Sequence, residues 1–290
     1  FASILLMAIL NPLVTRLTKF KIPRGVSVFL VYVLVVGVLG ATIASLITHL
    51  VNETSGFATG LPRYLESAGI PAFLGKETTS NLLSQLVQIP GQVLTLSVSF
   101  FSNLVMVIGS LVFAFYLLLA REKLESQLSS FLGEEKGKRV CKVIDTLEFR
   151  LGGWMRGQLL LMLAIGLATF LGLVLLGIPY ALPLAILAGL LEIVPTLGPI
   201  IAAIPSIIIG FGISPFIGFA AAFLGLLVHQ LENYLLVPKI MEKSVGISPI
   251  ITLLALAIGA KLAGIAGVFI SMPVLITSQV LLKEYLSSKD

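Results

Sequence analysis

Glu192-Ile193-Val194-Pro195-Thr196-Leu197-Gly198-Pro199 interrupts two apolar stretches, 184–191 and 200–211, neither of which is long enough to cross a bilayer alone. Proline lacks a backbone donor and clashes with the preceding turn, so helical hydrogen bonding must fail here. Irregular backbone at membrane depth is tolerated only where protein or a wet cavity covers it. The segment therefore reads as one broken span or as a re-entrant hairpin, with a carboxyl at its edge.

The surrounding chain is built for lipid. Of 290 residues, 57% are apolar and 11% are charged, and the mean hydropathy is +1.08, far from the range of soluble domains. The runs 26–47, 93–120, 159–176 and 216–237 each match the roughly 20 residues that hydrocarbon requires. Residues 1–10 read as the tail of another span, ended by Asn11-Pro12, and the natural chain is expected to begin earlier than Phe1. Together these predict an all-α polytopic integral membrane protein.

Charge sets the expected topology. Arg16, Lys19, Lys21 and Arg24 form a basic stretch without an acid, a bias that holds short loops in the cytoplasm. Residues 52–90 are mixed and weakly amphipathic and are placed externally. Residues 121–156 carry eight Lys/Arg and six acids; Leu124, Leu128, Phe131 and Leu132, then Val140, Val143, Ile144, Leu147 and Leu151, recur at helical steps. They predict cytoplasmic amphipathic interfacial helices packed on the protein's own spans or on a neighbouring subunit, or else a lipid-sensing surface. The net charge of +5 sits beside apolar spans and not on an aromatic-interleaved stripe, so nucleic acid is not an expected partner. The single cysteine, Cys141, can form no intrachain disulfide.

Sliding the sequence on itself by 69 positions aligns Gly177 with Gly246, Gly198 with Gly267 and the breakers Pro195 and Gly264. The paired units are 159–211 and 216–282, and the second carries Gly259, Gly264, Gly267 and Pro273. One crossing separates the broken segments, so two re-entrant segments make an inverted repeat and two full spans a parallel one. Interrupted segments at matching positions point to a transporter's binding site near the midplane.

The same offset sets Glu192 opposite Lys261. A charge near the centre of a span costs about 2.5–3.5 kcal/mol on insertion scales, so the two residues form a static ion pair, a gated or proton-coupled pair, or snorkel to the interface. A second polar group, His229, Gln230, Glu232 and Asn233, closes the 216–237 run. His229, Glu232 and Asn233 share one helical side, and Gln230 points about 100° away. They either enter the headgroup zone or line a solute path. Arg156 and Gln158 read the same way at the opposite boundary.

Gly153-Trp154-Met155-Arg156-Gly157-Gln158, the stretch from Glu192 to Pro199, and Gln230-Leu231-Glu232-Asn233-Tyr234 with Pro238 resemble the autoinducer-2 exporter family over nearly the whole chain. The resemblance implies a bacterial or archaeal inner-membrane transporter. It also implies re-entrant elements, an inverted repeat and a homo-oligomer, pentameric in members whose assembly is known. Some members are assigned to export of the autoinducer-2 furanone and others to exchange of sodium or lithium for protons. Members usually carry hydrophobic sequence before the position of Phe1, which implies a missing first span. They often have an acid directly after the span that ends here at Ala120, where this chain has Arg121-Glu122.

The leading expectation is a secondary transporter that exports a small solute, an autoinducer-2-like signal, driven by an ion gradient. In it, Pro195 to Pro199 and Gly264 to Gly267 meet at midplane, and one unit moves against a scaffold of the earlier spans. Glu192 and Glu232 are the candidates for proton or cation coupling, Lys261 for the counter-charge, and Asn233 and Gln230 for hydrogen bonding. The alternatives are a sodium/proton antiporter and, in another class, a non-transporting scaffold. No phosphate-binding loop, His-Glu-x-x-His or Gly-x-Ser-x-Gly occurs in the sequence, so neither ATP hydrolysis nor other enzyme activity is expected, and no metal or cofactor is called for. The expected partners are a small solute, protons or sodium, membrane lipid and further copies of the chain.

Overall fold

A computed structural model describes residues 2–67, 104–194, 197–241 and 249–287. Pro195, most of the predicted external segment, the first part of the 86–120 run, and Glu242, Lys243, Gly246 and Ile247 lie outside the described residues. The described residues contain helices and no strand: α1 (Ala2–Lys19), α2 (Arg24–Ser67), α3 (Leu104–Ala120), a 3₁₀ turn (Arg121–Lys123), α4 (Leu124–Leu132), α5 (Glu134–Leu175), α6 (Ala181–Leu191), α7 (Leu197–Ile213), α8 (Pro215–Leu231), a π turn (Glu232–Leu236), α9 (Val237–Met241) and α10 (Pro249–Ser287). Among them, four stretches are long and apolar enough to cross a membrane: Ala2–Lys19, Glu134–Leu175, Pro215–Ile240 and Ala266–Leu286. Their outward faces carry large apolar side chains; on α8, Phe216, Phe219 and Phe223 are all exposed and share one face, as lipid contact demands. The chain is an all-α multi-pass membrane protein.

Several predicted boundaries are corrected. Asn11-Pro12 does not end the first helix, which continues to Lys19, so Arg16 and Lys19 lie in its last turn beside the negative end of the dipole. The crossing after Val26 does not stop near His49 either; α2 runs on through Pro62 to Ser67. The charged segment from Glu134 onward and the span beginning at Leu159 form one helix, α5. In each case, a missing amide or a change of polarity was read as an end, yet the helix runs on. Pro273 is a further example: it sits fully buried inside α10 without breaking it.

Other ends follow local rules. Helix α5 stops in a Schellman turn at Gly177, with φ of 66°, where Ile178 N–H donates to Leu173 O at 3.0 Å. Ser214 caps α8 by accepting the Ile217 N–H at 3.2 Å, and Pro215 takes the first helical position, where no amide is needed.

The chain divides into two compact units. The first comprises the described residues within Phe1–Leu39, Val105–Gln158 and Ile240–Asp290. Its core holds Val14, Val28 and Leu118 in one cluster and Leu5, Trp154 and Ile276 in another. Gly152 allows α5 to press its backbone on the Ala8 carbonyl of α1, a contact any side chain would block. Polar groups then tie the helix ends together. Glu148 accepts from Arg121 Nε at 2.6 Å and from the Asn11 amide, and Arg24 Nη2 donates to Asn11 Oδ1 at 3.0 Å. Burial opposes the Arg121 charge, but hydrogen bonds from Glu148 and Asp145 outweigh it and raise the guanidinium pKa above its ordinary value.

The second unit comprises the described residues within Gly40–Leu104 and Leu159–Lys239. It packs the outer parts of α2 and α5 with α6, α7 and α8 around Phe57, Leu173, Ile178, Leu184 and Ile209, and around Ile165, Ala188, Ala202 and Val228. Small residues set the crossings: a Cβ on Gly189 of α6 would stand 2.7 Å from the Met162 carbonyl of α5, the close approach that membrane helices use in place of a hydrophobic drive.

Candidate functional site

Glu192 ends α6, and Glu232 begins the π turn that follows α8. Both are buried, at 0% and 1% exposure. The α6 break determines where Glu192 points. After Leu191 the backbone tightens into i→i+3 bonds, from Ile193 N–H to Leu190 O and from Val194 N–H to Leu191 O, before α7 begins at Leu197. Helices α6 and α7 pack against each other, and Gly198 lies on the Leu191 carbonyl. The chain has folded back on itself, and the carboxyl at the bend is enclosed.

Glu232 comes from another element. The π turn Glu232–Leu236 places an extra residue in the helical spiral, closed by Val237 N–H donating to Glu232 O; single π turns of this kind concentrate at functional sites. The Glu232 side chain turns inward and interacts electrostatically with that of Glu192. Two carboxyls from different helical elements of the unit thus share one enclosed site.

The remaining members of the polar group separate from it. His229 is half-buried and Asn233 exposed, with Asn233 Nδ2 and His229 Nε2 at 2.9 Å; Gln230 is exposed. The expected common side of His229, Glu232 and Asn233 is therefore split, with the π turn beginning at the buried Glu232.

Helix α10 is broken as well. In α10 the helix fails at Ala263 (φ −143°, ψ 22°) and Gly264 (φ 57°, ψ −138°), a conformation that favours glycine. Beyond the break, Gly267 presses on the Gly259 carbonyl, as Gly198 presses on that of Leu191. Ser271 Oγ donates to Gly267 O at 2.6 Å within the same bend. Both breaks fall at positions that the 69-residue offset equates. Pro199 does not break anything, since it lies buried in the first turn of α7, where proline is tolerated.

The first unit holds the other candidates. Lys261 lies exposed on the first arm of α10, and the polar partner of Glu192 is the Glu232 carboxyl. Gln158 is buried at 1% exposure. Arg156 is half-buried and does not reach for solvent; its Nη1 donates to the Ala8 carbonyl at 2.8 Å and is 3.4 Å from that of Ile9.

Sequence reasoning missed two residues of the second unit. Thr169 is the one polar side chain of α5 beyond Gln158, and Ser206 is the one polar side chain of α7. Both line a cavity of about 20 Å³. Their isolation in apolar helices was the available signal. Among the described residues, no group of three or more His, Cys, Asp or Glu is placed to hold a metal ion.

Comparison with known proteins agrees with this architecture. The AI-2E family of transporters matches residues 1–287. The chain is 30% identical to "Putative transport protein YueF" of Bacillus subtilis, covering 93% of this chain and 79% of that protein. It is 23% identical to a second B. subtilis protein, "Putative transport protein YrrI", over 98% and 85% of the two chains. It is also 23% identical to a "Sodium-lithium/proton antiporter" of Halobacillus andaensis, over 92% and 83%. A lipid-facing all-α chain with two broken helices, matched over nearly its full length, belongs to the AI-2E transporter family.

Proposed function

We propose that the protein is a secondary transporter that exchanges a monovalent cation, sodium or lithium, for protons at the Glu192–Glu232 pair. The observation that carries the reading is the enclosure of these two carboxyls in mutual contact. Two anions cannot persist side by side in a low dielectric, so the pair must hold a proton or a cation between them. Competition of two ions for one such site is the chemistry of antiport. The full-length similarity to a sodium-lithium/proton antiporter supports the same choice. Export of an autoinducer-2-like solute, driven by protons at the same pair, is the second reading, favoured by the family's description.

In either case the two hairpin-like breaks form an inverted repeat that supplies the moving element, and the protein works as a homo-oligomer, a pentamer, in a bacterial or archaeal inner membrane. The test is reconstitution. Purified protein in liposomes with an internal pH dye should move protons when sodium or lithium is imposed across the membrane. The furanone is supplied in a parallel arm. No proton movement with either solute would discard transport in favour of a scaffold.

A further inference from the structure

The enclosed carboxyl pair must exchange protons with water, and the second unit provides a first station for doing so. The cavity of about 20 Å³ is lined by Thr169 from α5 and Ser206 from α7, with Ala188, Val228, Pro199 and Gly225 among the apolar groups of its wall. Thr169 and Ser206 are each the single polar side chain of an otherwise apolar helical stretch, yet both face the same small space. A polar cavity of this size accommodates one water molecule, whereas purely apolar voids stay dry.

Its position ties it to the carboxyls. Ala188 and Val228 precede Glu192 and Glu232 by four residues each, and the Glu232 N–H donates to Val228 O while the Glu192 N–H donates to Ala188 O at 3.2 Å. Helical side chains lean toward the N-terminus, so each glutamate reaches back over the cavity-lining residue one turn earlier. Within the cavity-lining segments 165–173, 188–206 and 221–228 and the turn that follows each, the titratable groups are Glu192, Glu232 and, half-buried beside Asn233, His229.

We infer that this cavity is a water site in which Thr169 and Ser206 orient a single buried water that relays protons to and from the Glu192–Glu232 pair. The water accepts a proton on its oxygen and releases another to the pair, so that it is unchanged after each transfer. The two hydroxyls are positioning residues: they hold the water by hydrogen bonds and do not ionise. This relay rests on the exchange reading above.

The experiment compares Thr169→Val, Ser206→Ala and the double variant with Thr169→Ser in sodium-driven proton flux across liposomes, with assembly checked by gel filtration. Loss of one hydrogen-bond partner predicts a fall of about tenfold in each single variant, a larger fall in the double variant, and near-normal flux in Thr169→Ser, which keeps the hydroxyl. Normal flux in the double variant, alongside loss of flux in Glu192→Gln, overturns the relay and leaves the carboxyl pair standing. Normal flux in Glu192→Gln overturns the exchange reading itself. A density map of the unaltered protein that resolves ordered water decides the question independently of folding effects: water between the two hydroxyls supports the relay, and a void refutes it.

Discussion

Arg156 donates from Nη1 to the carbonyl oxygen of Ala8 at 2.8 Å, the acceptor that Pro12, four residues further along α1, cannot serve because it has no amide hydrogen. The arginine of one helix thereby replaces the missing rung of another, and Gly152 beside it lets the two backbones come close enough. This is why α1 passes through Asn11-Pro12 unbroken. Arg156→Ala should reduce stability by about 1–3 kcal/mol through an orphaned carbonyl. Pro12→Ala, which restores the rung, should shrink that loss. Denaturation of all four members of the cycle in detergent measures the coupling, and equal losses in both backgrounds would refute it.

Glu192→Gln and Glu232→Gln should each reduce gradient-driven proton flux to the level of empty vesicles while leaving the assembled protein intact. A glutamine keeps the size and hydrogen bonding of the site but cannot exchange a proton. Full flux in either variant would remove that carboxyl from the coupling site.

Gly198→Ala and Gly267→Ala should each destabilise the protein by about 1–3 kcal/mol, because their new Cβ atoms would strike the carbonyls of Leu191 and Gly259. Gly37→Ala is the control: nothing lies within 4 Å of its Cβ position, so helix propensity should make it neutral or stabilising by up to about 1 kcal/mol. Thermal unfolding distinguishes the two classes. A Gly267→Ala protein as stable as Gly37→Ala would contradict the tight bend.

Glu148→Gln should destabilise the first unit by about 1–3 kcal/mol, since Glu148 accepts from both Arg121 and Asn11. Glu122→Gln should change stability by less than about 0.5 kcal/mol, because its side chain is 60% exposed and its bridge to Arg24 is 3.4 Å long. The pKa of Arg121 is raised, so its contribution persists below that value and is lost only as the pH climbs through it. The loss caused by Arg121→Ala should therefore be the same at neutral and mildly alkaline pH; a clear decline over that interval, read by chemical denaturation, would show that the guanidinium is not held charged.

The helical class, the lipid-facing surface, the two interruptions and the oddity of Glu192 were legible in the sequence because each depends on near neighbours. Proline and glycine act on the backbone bonds of their own turn, and a run of apolar residues declares its solvent whatever it packs against. The extra residue of the π turn at Glu232 left no such mark, so the polar cluster read as a regular face. The expected end of α1 at Pro12 was misread for the same reason, since whether a helix survives a lost rung depends on a donor far away in sequence.

The sequence by itself therefore determined that this chain lives in a membrane, that its helices are interrupted after Leu191 and at Gly264, and that Glu192 lies among apolar stretches. Only the tertiary structure decided that Glu192 meets Glu232, that Arg156 completes α1, and that the lone hydroxyls of Thr169 and Ser206 face one cavity. Local hydrogen bonding and solvent preference can be read along the chain, whereas pairing across helices depends on how small residues let distant backbones approach.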